Sequence, residues 1–232
     1  MNSVMVTGSN RGLGLEWVRQ YAAAGWRVYA TCRVPDQADD LQRLRSQNPN
    51  VSVHRLDVTE PDQVGQMAVQ LGDSPLDVLI NNAGIYRERW GKDQFGRIDY
   101  ADWLDTFAVN TLGAMRVSEA LVDSLARSER RLSVAISSHM GSIADIGAPS
   151  DYAYRSSKAA LNAAMKGLSL DLARRGIGVL ILHPGWVRTR MGGDQAPLAP
   201  SESVTGMRRL IDWFRQDLSG HFYRYDATEM PW

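Results

Sequence analysis

Short apolar runs of strand length alternate along this chain with longer stretches whose apolar residues recur at helical spacing. Val4-Met5-Val6 reads as a buried strand, and residues 13–24 read as a helix that stops at Gly25, a residue suited to a C-terminal cap. The same alternation predicts strands over residues 27–32, 51–56, 76–80, 132–137, 179–182 and 222–225. Between them it predicts helices over 36–46, 61–71, 100–127, 152–174 and 203–218. Strand and helix in regular turn predict one α/β domain over residues 1–232, a doubly wound and mostly parallel sheet with helices on both faces. Crossovers in such a sheet are right-handed. Residues 87–99 and 191–200 fit neither period and are rich in Gly, Pro and charge, so they are expected at the rim of a cleft beyond the strand ends.

Composition narrows the function. The 26 basic and 26 acidic residues cancel, which leaves no electrostatic footprint for nucleic acid. Cys32 is the single cysteine, so no disulfide can form within the chain, and its apolar neighbours mark it as a core residue. The histidines at 54, 139, 183 and 221 include no pair at ligand spacing, and no metal is expected. The first residues enter a strand without a charged and then apolar leader, and no apolar run approaches the roughly 18 residues of a membrane span. The expectation is a soluble, cytoplasmic protein without membrane contact.

Two constellations carry chemistry. The first is the turn Thr7-Gly8-Ser9-Asn10-Arg11-Gly12-Leu13-Gly14, set between a predicted strand and a predicted helix. Glycines there give a tight turn, and they let a phosphate oxygen reach helix N–H groups that a Cβ would screen. The end of the second strand reads Cys32-Arg33, without the acidic residue that would bind a free ribose hydroxyl. Arg33 and Arg11 suit a 2′-phosphate instead, so NADP(H) is expected over NAD(H).

The second constellation is Tyr154 and Lys158, four residues apart on one helix face. An ammonium beside a phenol favours the phenolate and lowers a pKa that is ordinarily near 10. Tyr154 could then pass a proton to or from a carbonyl oxygen, with a hydroxyl from the end of the fifth strand holding that oxygen. Ser138, Ser137 and Ser142 are all candidates for that hydroxyl. Tyr152 lacks a lysine at the same spacing, and only three of the 26 basic residues are lysine. His139 is expected to line the cleft, and Trp90, Trp186 and Met191 are candidates for an apolar pocket.

With these motifs stand Asp57-Val58, Asn81-Asn82-Ala83-Gly84, Asn110 within Val-Asn-Thr-Leu-Gly, and Pro184-Gly185-x-Val187-x-Thr189. Together and in this order they resemble the short-chain dehydrogenase/reductase family over essentially the whole chain. The segments around Tyr154 and His183, with the tail from Asp226, are similar to the sniffer-type carbonyl reductases and bacterial C-factor proteins. The resemblance implies the strand order 3-2-1-4-5-6-7 and a tetrad of Asn110, Ser138, Tyr154 and Lys158. Asn110 in that scheme holds a water that relays protons to Lys158. The resemblance further implies an adenine contact at Asp57 beside Val58, and a cofactor wall from Asn82, Ala83 and Gly84. Lys158 binds the nicotinamide ribose in this scheme, Thr189 lies near the carboxamide or phosphates, and Pro184, Gly185 and Val187 are further cofactor-binding residues. It implies a small carbonyl or alcohol substrate. By analogy it implies a homodimer, or a tetramer, packed through the helices over 100–127 and 152–174. A signalling protein of C-factor type, with incidental catalysis, is the other function the resemblance allows.

Overall fold

The computed structural model describes residues 1–88 and 95–232; Trp90 lies outside the described residues. Seven strands form one sheet: β1 (Ser3–Val6), β2 (Arg27–Cys32), β3 (Val51–Arg55), β4 (Val78–Asn81), β5 (Leu132–Ile136), β6 (Gly178–His183) and β7 (Phe222–Arg224). Their order is β3-β2-β1-β4-β5-β6-β7 and every pairing is parallel. The helices are α1 (Gly12–Ala23), α2 (Asp39–Gln47), α3 (Pro61–Leu71), α4 (Tyr100–Phe107), α5 (Ala114–Ala120), α6 (Val122–Ala126), α7 (Tyr152–Ala173) and α8 (Pro200–Asp212).

The two-residue period of a strand explains why the apolar runs are continuous. Val4 and Val6 enter a core with Trp17 and Tyr21 of α1 and Met207 of α8, while Met5 between them enters a second core. Val78 and Ile80 join the first core and Leu79 the second; Leu180 and Leu182 join the first, Val179 and Ile181 the second. The second core is closed by Val64 and Met67 of α3, Val117 of α5 and Leu161 and Met165 of α7. Each strand is therefore apolar on both faces, as a sheet covered on both sides requires.

Two of the expected helices change most. The stretch foreseen as one helix over 100–127 is interrupted by a π-helical turn, Ala108–Gly113, and again at Leu121 between α5 and α6. The last long helix begins at Pro200 and ends at Asp212, and only a single 3₁₀ turn, Gln216–Leu218, follows it. No helix among the described residues is long and apolar enough to cross a membrane. The strand order reverses between β1 and β4, so the loops leaving those strands diverge and open a crevice at their C-terminal ends.

Candidate active site

The glycine turn fills that crevice from β1. Asn82 at the end of β4 holds it: its Nδ2 donates to the carbonyls of Thr7 (2.9 Å) and Gly8 (3.2 Å). In return the backbone N–H groups of Asn82 and Ala83 donate to Thr7 Oγ1, both at 3.0 Å. The close approach dictates glycine. A Cβ on Gly8 would lie 2.9 Å from Ala83 Cα, and one on Gly14 would lie 2.1 Å from the Gly8 carbonyl oxygen. Helix α1 then starts without a side-chain cap or an acidic residue in its first turn, so its N-terminus presents N–H groups and the positive end of its dipole to the cleft. We expect Gly14→Ala to weaken dinucleotide binding by about tenfold or more and to lower the melting temperature, because the added methyl must push the turn off its backbone contact. Titration followed by nicotinamide fluorescence checks the first effect, and a thermal melt the second.

The cleft has a volume of about 710 Å³. Gly8, Arg11, Gly12, Leu13, Gly14, Arg33, Asp57, Val58, Asn82, Ala83, Gly84, Tyr154, Lys158, Pro184 and Thr189 line it, so the fold gathers residues scattered through the chain. Two residues of the turn behave otherwise. Ser9 is fully buried and donates to the Val6 carbonyl at 2.7 Å, so its hydroxyl closes the turn from below. Asn10, like Gly185 and Val187, is not among the residues lining the cavity. Asp57 accepts from the N–H (3.0 Å) and hydroxyl (2.7 Å) of Thr59, which fixes its carboxylate at the cleft wall.

Arg11 and Arg33 are joined in the cleft by Arg190, which no sequence motif marked. Burial, then the guanidiniums of Arg190 and Arg33, push the Arg11 pKa down. Three guanidiniums gathered against their mutual repulsion fit a phosphate-bearing ligand. The glycine turn and this basic wall together suit the phosphates of a nicotinamide dinucleotide.

Helix α7 sets Tyr154 and Lys158 on the cleft floor, both buried. Lys158 Nζ lies 5.8 Å from the centroid of the Tyr154 ring and donates to the Ile136 carbonyl at 2.8 Å. The Tyr154 hydroxyl donates weakly to Met191 Sδ at 4.0 Å, and the Ser138 hydroxyl lies near enough to favour its phenolate. The expected lowering of the phenol does not occur in the protein's own field: burial pushes Tyr154 up to about 12, and the Ser138 hydroxyl offsets only part of it. Burial also pushes Lys158 down to about 8. Desolvation thus outweighs their attraction, because each charged form has lost water and the ammonium faces the ring and a carbonyl.

The three serines meet different partners, and Ser137 alone of them is among the residues lining the cleft. Ser137 donates to Asn162 Oδ1 at 2.5 Å, and Ser142 donates to the Trp232 carbonyl at 3.3 Å. Ser138 lies next to the phenol, and its Oγ accepts from Met140 N–H at 3.1 Å, which fixes its rotamer. Asn110 sits in the π-helical turn. Its Nδ2 donates to the Ile85 carbonyl (2.9 Å) and Ser157 Oγ (3.0 Å), and its Oδ1 accepts from Ile85 N–H (2.8 Å). Both amide hydrogens are therefore used in tying the β4 loop to α7. A Cβ on Gly84 would lie 3.3 Å from Asn110 Oδ1 and 3.6 Å from Lys158 Nζ, so Gly84 is where the two side chains meet.

His139 is exposed and packs its ring 5.1 Å from that of His183, away from the cleft lining. Burial, then His139, pushes His183 down to about 3, which holds it neutral. Trp186 is 55% exposed and donates from Nε1 to the Gly192 carbonyl at 2.8 Å, pinning the loop that carries Met191 into the cleft. Tyr86, unmarked by any motif, stacks its ring on that of Tyr154 at 4.3 Å.

Comparison with known proteins places this geometry. The sequence model described as short chain dehydrogenase matches residues 2–197. The C-signal protein of Myxococcus xanthus is 44% identical over 165 residues, which cover 71% of this chain and 98% of that protein. The NADPH-bound carbonyl reductase from chicken fatty liver superposes with a TM-score of 0.93 at 33% identity, over 100% of this chain and 99% of that one. Carbonyl reductase Sniffer of D. melanogaster superposes with a TM-score of 0.92 at 33% identity, over the whole of both chains.

Proposed function

The chain belongs to the short chain dehydrogenase family, and from that premise we propose that it reduces a carbonyl group, in an aldehyde, ketone or quinone, with NADP(H) as its cofactor and Tyr154 as general acid. The observation that carries this reading is the buried phenol of Tyr154 on the floor of a cleft whose other end is a glycine cradle with three arginines. The dinucleotide, when bound, supplies the hydride. The cradle at Gly8, Gly12 and Gly14 would hold its pyrophosphate, Arg11, Arg33 and Arg190 its 2′-phosphate, and Lys158 its nicotinamide ribose.

Tyr154, held neutral by burial, has its proton in place to give to a carbonyl oxygen. Ser138 donates a hydrogen bond to the same oxygen. Lys158, pushed down to about 8, stabilises the phenolate left behind and can pass a proton back near neutral pH. Asn110 keeps the floor in register through Ile85 and Ser157.

A spectrophotometric screen of carbonyl compounds with NADPH tests the reading, and turnover on at least one aldehyde, ketone or quinone is the expected result. Arg33→Ala should cut the preference for NADPH over NADH, as a ratio of kcat/KM values, by about 10- to 100-fold, since a charge-assisted pair to the phosphate is lost. An unchanged ratio would remove Arg33 from cofactor choice. The likeness to the M. xanthus C-signal supports a second reading, a dinucleotide-binding signalling protein with incidental catalysis. Tight NADPH binding with no turnover across the panel would favour it. The homodimer read from the resemblance finds support in Leu104 of α4 and Leu170 of α7, large apolar side chains left exposed on the two helices concerned.

A further inference from the structure

Helix α7 enters its first turn by an unusual route. Ser150 and Asp151 both have positive φ, 73° and 58°, although neither is glycine. Such a conformation persists only where surrounding contacts impose it. Asp151, the residue at the cap position, makes no side-chain cap bond. Its carboxylate instead accepts from the Tyr86 hydroxyl at 2.5 Å. The orphan N–H groups of the first turn are therefore satisfied from elsewhere in the chain. Glu88, only 2% exposed, accepts from Ala153 N–H through Oε1 at 2.7 Å and from Tyr154 N–H through Oε2 at 2.6 Å. These are short bonds to the positive end of a 22-residue helix, a setting that favours a carboxylate.

We infer that Glu88 is a positioning residue for proton transfer: by clamping the backbone N–H of Tyr154 it fixes where that residue's hydroxyl stands in the cleft. The inference rests on the reading of Tyr154 as the acid. The same loop holds the site at two further points. Ile85 makes both backbone bonds to Asn110, and Tyr86 lies against the Tyr154 ring while holding Asp151. Glu88 closes this clasp at the backbone of the reacting residue and is not among the residues lining the cleft.

Glu88→Gln keeps the shape but replaces one accepting oxygen with a donor, so one N–H of the first turn loses its partner; Glu88→Ala loses both bonds. Expected for each is a fall in kcat of about 10- to 100-fold with the NADPH Kd within about twofold of the parent, because misplacement of a reacting group costs rate while the cradle is untouched. Tyr154→Phe, assayed alongside, separates the two claims. If Tyr154→Phe keeps its activity, the acid assignment fails. If it is inactive while Glu88→Gln turns over within about twofold of the parent and merely melts earlier, the positioning role fails. A Glu88→Gln protein that has lost NADPH binding together with activity would also overturn the inference and assign Glu88 to folding alone.

Discussion

Tyr154→Phe is expected to reduce kcat for carbonyl reduction by about a thousandfold or more while the NADPH Kd stays within about twofold, a general acid being worth roughly 10² to 10⁴ in rate. The substitution removes one oxygen and keeps the ring. The stack on Tyr86 at 4.3 Å therefore survives, as does the backbone clamp of Glu88. What disappears is the hydroxyl that Ser138 and Met191 face. The phenol is held up at about 12 by burial, so it carries its proton throughout the neutral range and needs no prior ionisation to act as an acid. Single-turnover kinetics with preloaded NADPH measure the chemical step directly. Activity close to that of the parent would transfer the proton to another group and undo the reading of the site.

Lys158→Met should be nearly as damaging, by about 10² to 10³ in kcat, and it should also leave a signature in stability. Burial depresses the folded-state pKa of Lys158 from 10.5 to about 8. Between these values the unfolded chain binds more protons than the folded one, so folding stability rises with pH through this window. Below about pH 8 the cost of burying the ammonium is felt in full, and it is relieved as the pH climbs toward 10.5. Methionine has no charge to desolvate and lacks this dependence. Raising the pH from about 7 to about 9.5 should therefore raise the melting temperature of the parent relative to Lys158→Met by about 5 °C, for a relief on the order of 2 kcal/mol in a chain of this size. Tyr154, raised from 10.0 to about 12, acts only above that window, where its contribution is lost as pH rises from about 10 to about 12. Parallel melting curves for parent and variant, in protein without dinucleotide, would mean that Lys158 is not buried as a charge.

The long amphipathic stretch over 100–127 shows why some features escape a reading of the chain. Its apolar spacing is compatible with one uninterrupted helix, and nothing local requires a break at Ala108. The π-helical turn is accompanied by distant contacts: Asn110 bonds to Ile85 and Ser157, and Gly113 packs so near Val58 that a Cβ would lie 2.5 Å from its Cγ2. Arg190 and Glu88 escape for the same reason. Each sits in an irregular loop without periodicity or motif; Glu88 acquires its setting only when the loop after β4 meets the start of α7, and Arg190 only when the loop after β6 meets those after β1 and β2. The three serines near the end of β5 could not be ranked from spacing, since what separates them is which partner each hydroxyl meets. Spacing reveals the charge beside Tyr154 and conceals the loss of water that raises the phenol in the protein's own field.

Local chemistry fixed what depends on short stretches: the alternation of strands and helices, where the glycines bend the chain at its first turn, and that a phenol and an ammonium share one helix face. Those outcomes follow from backbone sterics and from a period of two or 3.6 residues, both of which operate over a few neighbours. Only the packed molecule decided which hydroxyl meets Tyr154, that a third guanidinium joins Arg11 and Arg33, and that a carboxylate from the β4 loop holds the start of α7. Those depend on contacts between segments dozens of residues apart and on how much water each group loses, quantities that no stretch of chain possesses before it folds.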